Sequence, residues 1–282
     1  MFRKIRARKP KVLSISTIAD LLMVLNNSSD LRSAFTSVLV GLDREHREGF
    51  PTMAVTLKNG RYRLIVGDAM EELVSDTDNH TQIGLILVHE LMHIVQTHIE
   101  QSLESWVELT EEDDPTLLER NKDWWSKINP LAVDYAVNSV CLDTNLFTIQ
   151  QFNHSAPLRE DGFGMFKGVL PSDMNLQRGL SYREYFHILW DIMDNKPPKD
   201  WPGMPEASGG GGIEEAQEHI EKMSGGGNPF QHIEDILGEE LEGLDPEELE
   251  DLIASAASAS KDIAKEVTKN LKSRGFGSSG IC

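Results

Sequence analysis

The chain has 282 residues, 39% hydrophobic and 26% charged, enough for one substantial core or for a domain with an appended segment. Its formal net charge of −19 excludes general nucleic-acid binding, which needs clustered cations, and it has no uninterrupted apolar stretch of about 18 residues to span a membrane. Two cysteines, Cys141 and Cys282, are too few for a disulfide framework or a thiolate zinc site, which fits a reducing compartment.

The basic start "MFRKIRARKPK" leads into "VLSISTIADLLMVL", superficially like a secretory signal. Asp20 interrupts the apolar run and "NNSSDLRS" offers no small-x-small cleavage site, so a cytoplasmic setting is expected. Residues 14–40 read as helical, with Ile15, Ile18, Leu22 and Leu25 on one face, a break at "NNSSD", then Leu31, Phe35, Val38 and Leu39. "TMAVTL" (52–57) and "RYRLIV" (61–66) alternate around Asn59-Gly60, a two-residue hairpin signal because both turn positions favour φ > 0. A short acidic helix starts at Asp68, and the apolar run "IGLILVHELMHIV" predicts a long helix from about Asn79 to about Leu103.

After the acidic link "ELTEEDDPTLLERN", Asn129 is placed to cap a helix from Pro130 to about Leu142, with proline at the first helical position, where its missing N–H costs nothing. Residues 153–180, including the glycine-rich "DGFGMFKG", read as loop. A Ser-Tyr-Arg-Glu capping box opens a helix from Ser181 to about Met193. "NKPPKDWPGMPEASGGGG" predicts the end of the compact domain near residue 197, and glycine runs at 209–212 and 225–227 predict a linker over 198–230. Residues 206–251 hold fifteen acids against one lysine, Lys222. Residues 231–282 then read as an acidic helical tail, partly disordered, suited to binding a protein partner.

The chemistry concentrates at "VHELMHIVQTHIEQ", residues 88–101. A chance H-E-x-x-H in a chain of this length and composition has a probability of roughly 0.03, and an apolar setting sharpens the signal further. On a helix His89 and His93 stand one turn apart on one face and can share an ion. Glu90 lies 100° round from His89, placed to reach a water without binding the metal. A catalytic zinc takes three protein ligands and leaves a fourth position for water, whose proton Glu90 then accepts as general base.

Two residues compete as third ligand. His98, five residues past His93, is rotated 140° away on a continuous helix, and no glycine breaks "IVQTHIEQSL". Asp134 is the better geometric choice, because it comes from a separate helix among Leu131, Val133, Ala136 and Val137, where an unpaired carboxylate would be costly. Asn138, one turn on, is placed to orient it or to contact substrate. His46, His80, His154, His187, His219 and His232 have no ligand spacing, and Trp124 and Trp125 read as packing residues.

"VHELMHIVQTH", "NPLAVDYAVNSVCL" and "GLSYREYFHIL" together resemble a metallopeptidase domain of bacterial and phage proteins that is often joined to a von Willebrand A-like domain. That family's H-E-x-x-H-x-x-x-x-H pattern falls on His89, Glu90, His93 and His98, and its A-x-D-Y-x-x-N pattern on Ala132, Asp134, Tyr135 and Asn138. The resemblance covers about residues 15–195. It implies a zincin-like fold, zinc, peptide-bond hydrolysis, a place in the cytoplasm of a bacterium or a phage-infected host cell, and roles near the metal or substrate for His98, Tyr135 and Asn138. No D-x-S-x-S motif occurs, so AAA+ ATPase partners of the larger proteins are not implied.

The expectation is therefore an α+β, zincin-like, mainly helical core with a small sheet beside the motif helix, spanning residues 1–197. It is expected to be a zinc-dependent metallopeptidase acting on peptide or protein substrates, with no nucleic-acid or membrane partner. His89, His93 and Asp134 hold Zn2+, with His98 as the alternative third ligand, and Glu90 is the base. The rival reading is a catalytically silent zincin-like scaffold that acts with a partner protein and keeps zinc for stability.

Overall fold

A small sheet forms around the hairpin at residues 53–67, and the helix carrying the motif packs directly on it. The computed structural model describes residues 11–28, 32–50, 52–58, 60–110, 112–149, 169–196, 211–225 and 246–273. The sheet has the order β1-β2-β4-β3, from β1 (Lys11–Val12), β2 (Asp43–Arg47), β3 (Met53–Lys58) and β4 (Arg61–Gly67). The β3–β4 hairpin pairs Lys58 with Arg61, and Gly60 takes φ +70, the left-handed geometry that such a turn demands. β2 runs parallel to β4 and was not legible in the sequence, because "DREHR" has no apolar alternation. Its charges are instead satisfied by neighbours: Glu45 pairs with Arg63 and Arg47, and His46 lies between Asp68 (2.7 Å) and Glu71 (2.6 Å).

The remaining helices are α1 (Ile15–Ser28), α2 (Thr36–Gly41), α3 (Asp68–Leu73), α4 (His80–Val95), α5 (His98–Thr110), α6 (Pro115–Asp143), α7 (Tyr182–Met193), α8 (Gly211–Gly225) and α9 (Pro246–Ser273). The fold is α+β and mainly helical, with the small sheet beside the motif helix as expected. No helix among the described residues is long and apolar enough to cross a membrane.

Two helix expectations change. The predicted helix from Asn79 to Leu103 is two helices, because α4 stops at Val95 and Thr97 takes φ +58. Gln101 stitches the break by donating to Gln96 O (2.9 Å) and Thr97 Oγ1 (2.8 Å). Conversely, the predicted helix from Pro130 extends back to Pro115, with Pro130 in its interior. Its cap is Asp114, whose carboxylate accepts from the N–H groups of Thr116 (2.8 Å) and Leu117 (3.4 Å). Asn129 is no cap: its Oδ1 accepts from the Tyr182 hydroxyl at 2.8 Å. The Ser181 capping box forms as expected, while "DGFGMFKG" lies outside the described residues.

The boundary expected at residue 197 also meets a different arrangement. α8 occupies part of the predicted linker, because Ala216 and Ile220 share a face that packs on α6 and α7. Gln217 Nε2 closes the end of α7 by donating to Ile192 O at 2.8 Å. In the predicted tail, α9 buries Ala256 and Val267 in the core that holds the sheet and α4. Ser255 Oγ donates to Gly60 O (3.3 Å), and Asn270 Nδ2 donates to Ser37 Oγ (3.0 Å). The residues from 274 on, and those linking α7 to α8 and α8 to α9, lie outside the described set.

Candidate metal centre

α4 and α6 cross where their polar residues meet, at the junction of two apolar clusters: one around the sheet and α4, the other between α6, α7 and α8. The i, i+4 spacing brings the Nε2 atoms of His89 and His93 to 3.0 Å from each other. Asp134 Oδ1 approaches from α6 to 3.2 Å from His89 Nε2 and 3.5 Å from His93 Nε2. These distances test the fit of a metal. Four-coordinate zinc with bonds of 2.0–2.1 Å sets its ligand atoms about 3.3 Å apart by tetrahedral geometry. The three observed separations bracket that value, so a buried His-His-Asp group is present that can hold a metal ion.

The hydrogen bonds behind the rings fix which nitrogen faces the centre. Asn138 Nδ2 donates to the Val169 carbonyl at 2.7 Å, which turns its Oδ1 toward His89. That oxygen can only accept, so His89 Nδ1, 2.9 Å away, carries the proton and Nε2 presents its lone pair in the neutral ring. His93 Nδ1 lies 3.3 Å from His98 Nδ1. With the proton on His93 Nδ1, donated to His98, Nε2 of His93 is likewise a ligand. Such partners on the outer ring nitrogens are what metal-bound histidines require.

His98 therefore reaches the site, but from the other edge of His93 rather than beside Asp134. A continuous helix would have carried it away, and the break at Gln96-Thr97 returns it. Thr97 to Glu100 does match the T-x-x-E pattern that marks a helix start, although Glu100 spends its carboxylate elsewhere, accepting from the Tyr62 hydroxyl at 2.5 Å.

Glu90 Oε2 accepts from the N–H of Val55 at 3.1 Å, a bond across from the β3 edge that no sequence feature announced. Its Oε1 is buried with no hydrogen-bond partner among the described residues. Tyr135, next to Asp134, packs its ring edge-on against Tyr185 in the second cluster. Trp125 is buried as a packing residue, with its indole N–H donating to Ser105 Oγ at 2.9 Å.

Burial and neighbouring charges shift the three histidines in different directions. Burial disfavours the charged form of His89, yet the Asp134 carboxylate bonded to it and the nearby Glu90 outweigh that and raise its pKa. Burial and the adjacent His89 and His98 hold His93 well below the ordinary histidine range, and burial with His89 pushes His98 down to about 3. Glu90 is pushed up to about 8, chiefly by burial, with Asp134 adding to the effect while His89 and the Val55 N–H oppose it.

Comparison with known proteins adds no relative: no family model, curated protein or solved structure matches the chain.

Proposed function

We propose that the protein is a zinc-dependent metallopeptidase of zincin-like architecture. One observation carries this reading: three ligand atoms of His89, His93 and Asp134 converge at tetrahedral spacing, with the Glu90 carboxyl on the next residue of the same helix. Two imidazoles and a carboxylate suit zinc, and a single carboxylate offsets only part of its charge.

His89, His93 and Asp134 would hold the zinc, which would supply a Lewis acid able to lower the pKa of a water and polarise a substrate carbonyl. The chain supplies the rest. Glu90 takes the proton of the attacking water at Oε1 and returns it to the leaving amine, while Val55 N–H fixes Oε2. Asn138 and His98 hold the two imidazoles in their ligand tautomers. The two cysteines, too few for a disulfide framework, fit a cytoplasmic place in a bacterium or an infected host cell.

The rival, a metal-stabilised scaffold without turnover, draws on the depth of the site, where His89, Glu90, His93 and Asp134 are each at most 1% exposed. Metal analysis and casein digestion, wild type beside Glu90→Gln, separate the two. We expect stoichiometric zinc in both proteins and a rate reduced by about 10²-fold or more in Glu90→Gln. Zinc without any wild-type turnover would establish the scaffold instead.

A further inference from the structure

Beside the metal centre runs a groove of about 1130 Å³ between α9, the α4–α5 break and the start of α7. That exceeds the roughly 300–1,000 Å³ of small-molecule pockets and suits a length of chain. One wall carries Lys261, Lys265, Lys269 and Lys272, spaced by four, four and three residues and so on one face of α9. Lysines in the last turn complement a helix dipole, but Lys261 lies three turns earlier, so the dipole does not account for the row. Lys265 pairs with Asp262 (3.1 Å), whereas Lys261, Lys269 and Lys272 have no carboxylate in ion-pair range among the described residues. In a chain of net charge −19, three of these four cations stand without an ion-pair partner among the described residues. Glu184 is the one acid on the lining, and Ser181 already holds its carboxylate.

The rest of the lining combines aliphatic residues, Val95, Ala136, Val140 and Leu180 among them, with polar ones such as Gln96 and Gln101. It offers no exposed aromatic platform for base stacking, which with the net charge disfavours nucleic acid. At its base lies His98, whose Nδ1 meets His93 on the ring edge opposite the one facing Asp134. The groove thus abuts the centre without opening onto the reacting atoms.

We propose that this groove is a docking site for an acidic segment of the protein substrate, its carboxylates on the α9 lysines and its apolar side chains on the aliphatic floor. The identity of the occupant as a substrate segment rests on the peptidase reading; the binding itself does not. Charge complementarity of this kind sets specificity and association rate more than raw affinity.

The test measures binding apart from turnover. Fluorescence anisotropy of a labelled peptide of alternating glutamate, leucine and alanine is followed with full-chain Glu90→Gln, so that the probe stays intact. We expect saturable binding that weakens with added salt and falls about tenfold or more when Lys261→Gln, Lys265→Gln and Lys269→Gln are combined. Circular dichroism and zinc content of that variant are expected to be unchanged, and the three single substitutions, which leave folding untouched at exposed sites, give graded losses. Absence of saturable binding, equal affinity in the lysine variants, or equally tight binding of a single-stranded oligonucleotide overturns the proposal. A peptide that binds while wild type hydrolyses no casein leaves the groove standing as an acidic-peptide site and overturns both its assignment to substrate and the peptidase reading.

Discussion

His98 and His93 face each other through their Nδ1 atoms at 3.3 Å, which leaves the Nε2 edge of His93 turned toward Asp134. The two candidates for third ligand are thereby separated by geometry: His98 meets the outer edge of the His93 ring, and Asp134 shares the centre with its inner edge. His98→Ala is expected to retain metal with an affinity about 10–100-fold lower, whereas Asp134→Ala removes a donor and is expected to lose metal altogether. Titration with a competing chelator checks both, and the order of the two losses is the decisive reading.

The buried Glu90 carboxyl predicts a pH dependence for the metal-free chain. Its folded-state pKa is raised from 4.5 to about 8, so between those values the folded chain keeps a proton that the unfolded chain has released. Stability from this group is full below about pH 4.5 and is lost as pH rises toward 8, by on the order of a few kcal/mol. Glu90→Gln cannot ionise, and its amide oxygen can still accept from Val55 N–H. Urea unfolding of the two metal-free proteins is expected to show the variant gaining relative stability from pH 5 to pH 8.

Removal of residues 246–282 is expected to lower the melting temperature well beyond the effect of an ordinary surface change. α9 buries Ala256 and Val267, and the Tyr62 hydroxyl that bonds Glu100 also reaches Ala256 O at 3.3 Å. Without the helix, apolar surface over α4 and β4 meets water at about 25 cal/mol per Å². Thermal unfolding of chains ending at 282 and at 245 measures the difference; equal midpoints would show that α9 adds nothing to the core.

Thr97 sits at φ +58, a region that β-branched residues rarely occupy. Asparagine tolerates this geometry and keeps a side-chain oxygen for Gln101 Nε2, which now donates to Thr97 Oγ1 at 2.8 Å. Thr97→Asn is therefore expected to stabilise the chain by about 1 kcal/mol, read by denaturant unfolding, with metal content unchanged.

Local rules were enough to read several parts of the molecule from its residues. Helical spacing placed His89, Glu90 and His93 on one turn, Asn59-Gly60 marked the hairpin, and Ser181 with Glu184 marked the start of α7. It also singled out Asp134, because a carboxylate among apolar residues needs a partner. Tertiary structure alone decided the features that depend on distant neighbours. β2 pairs through charges held by Arg63, Asp68 and Glu71, so it carries no alternation to read. The break at Thr97 is set by Gln101 and by burial of His98 against His93, where local propensity favours a continuous helix. The hold of Val55 on Glu90 and the seat of α9 on the core arise from contacts 35 or more residues apart in the chain. Such contacts form only when the burial of distant apolar faces outweighs local preference, and a linear pattern does not record which faces will meet.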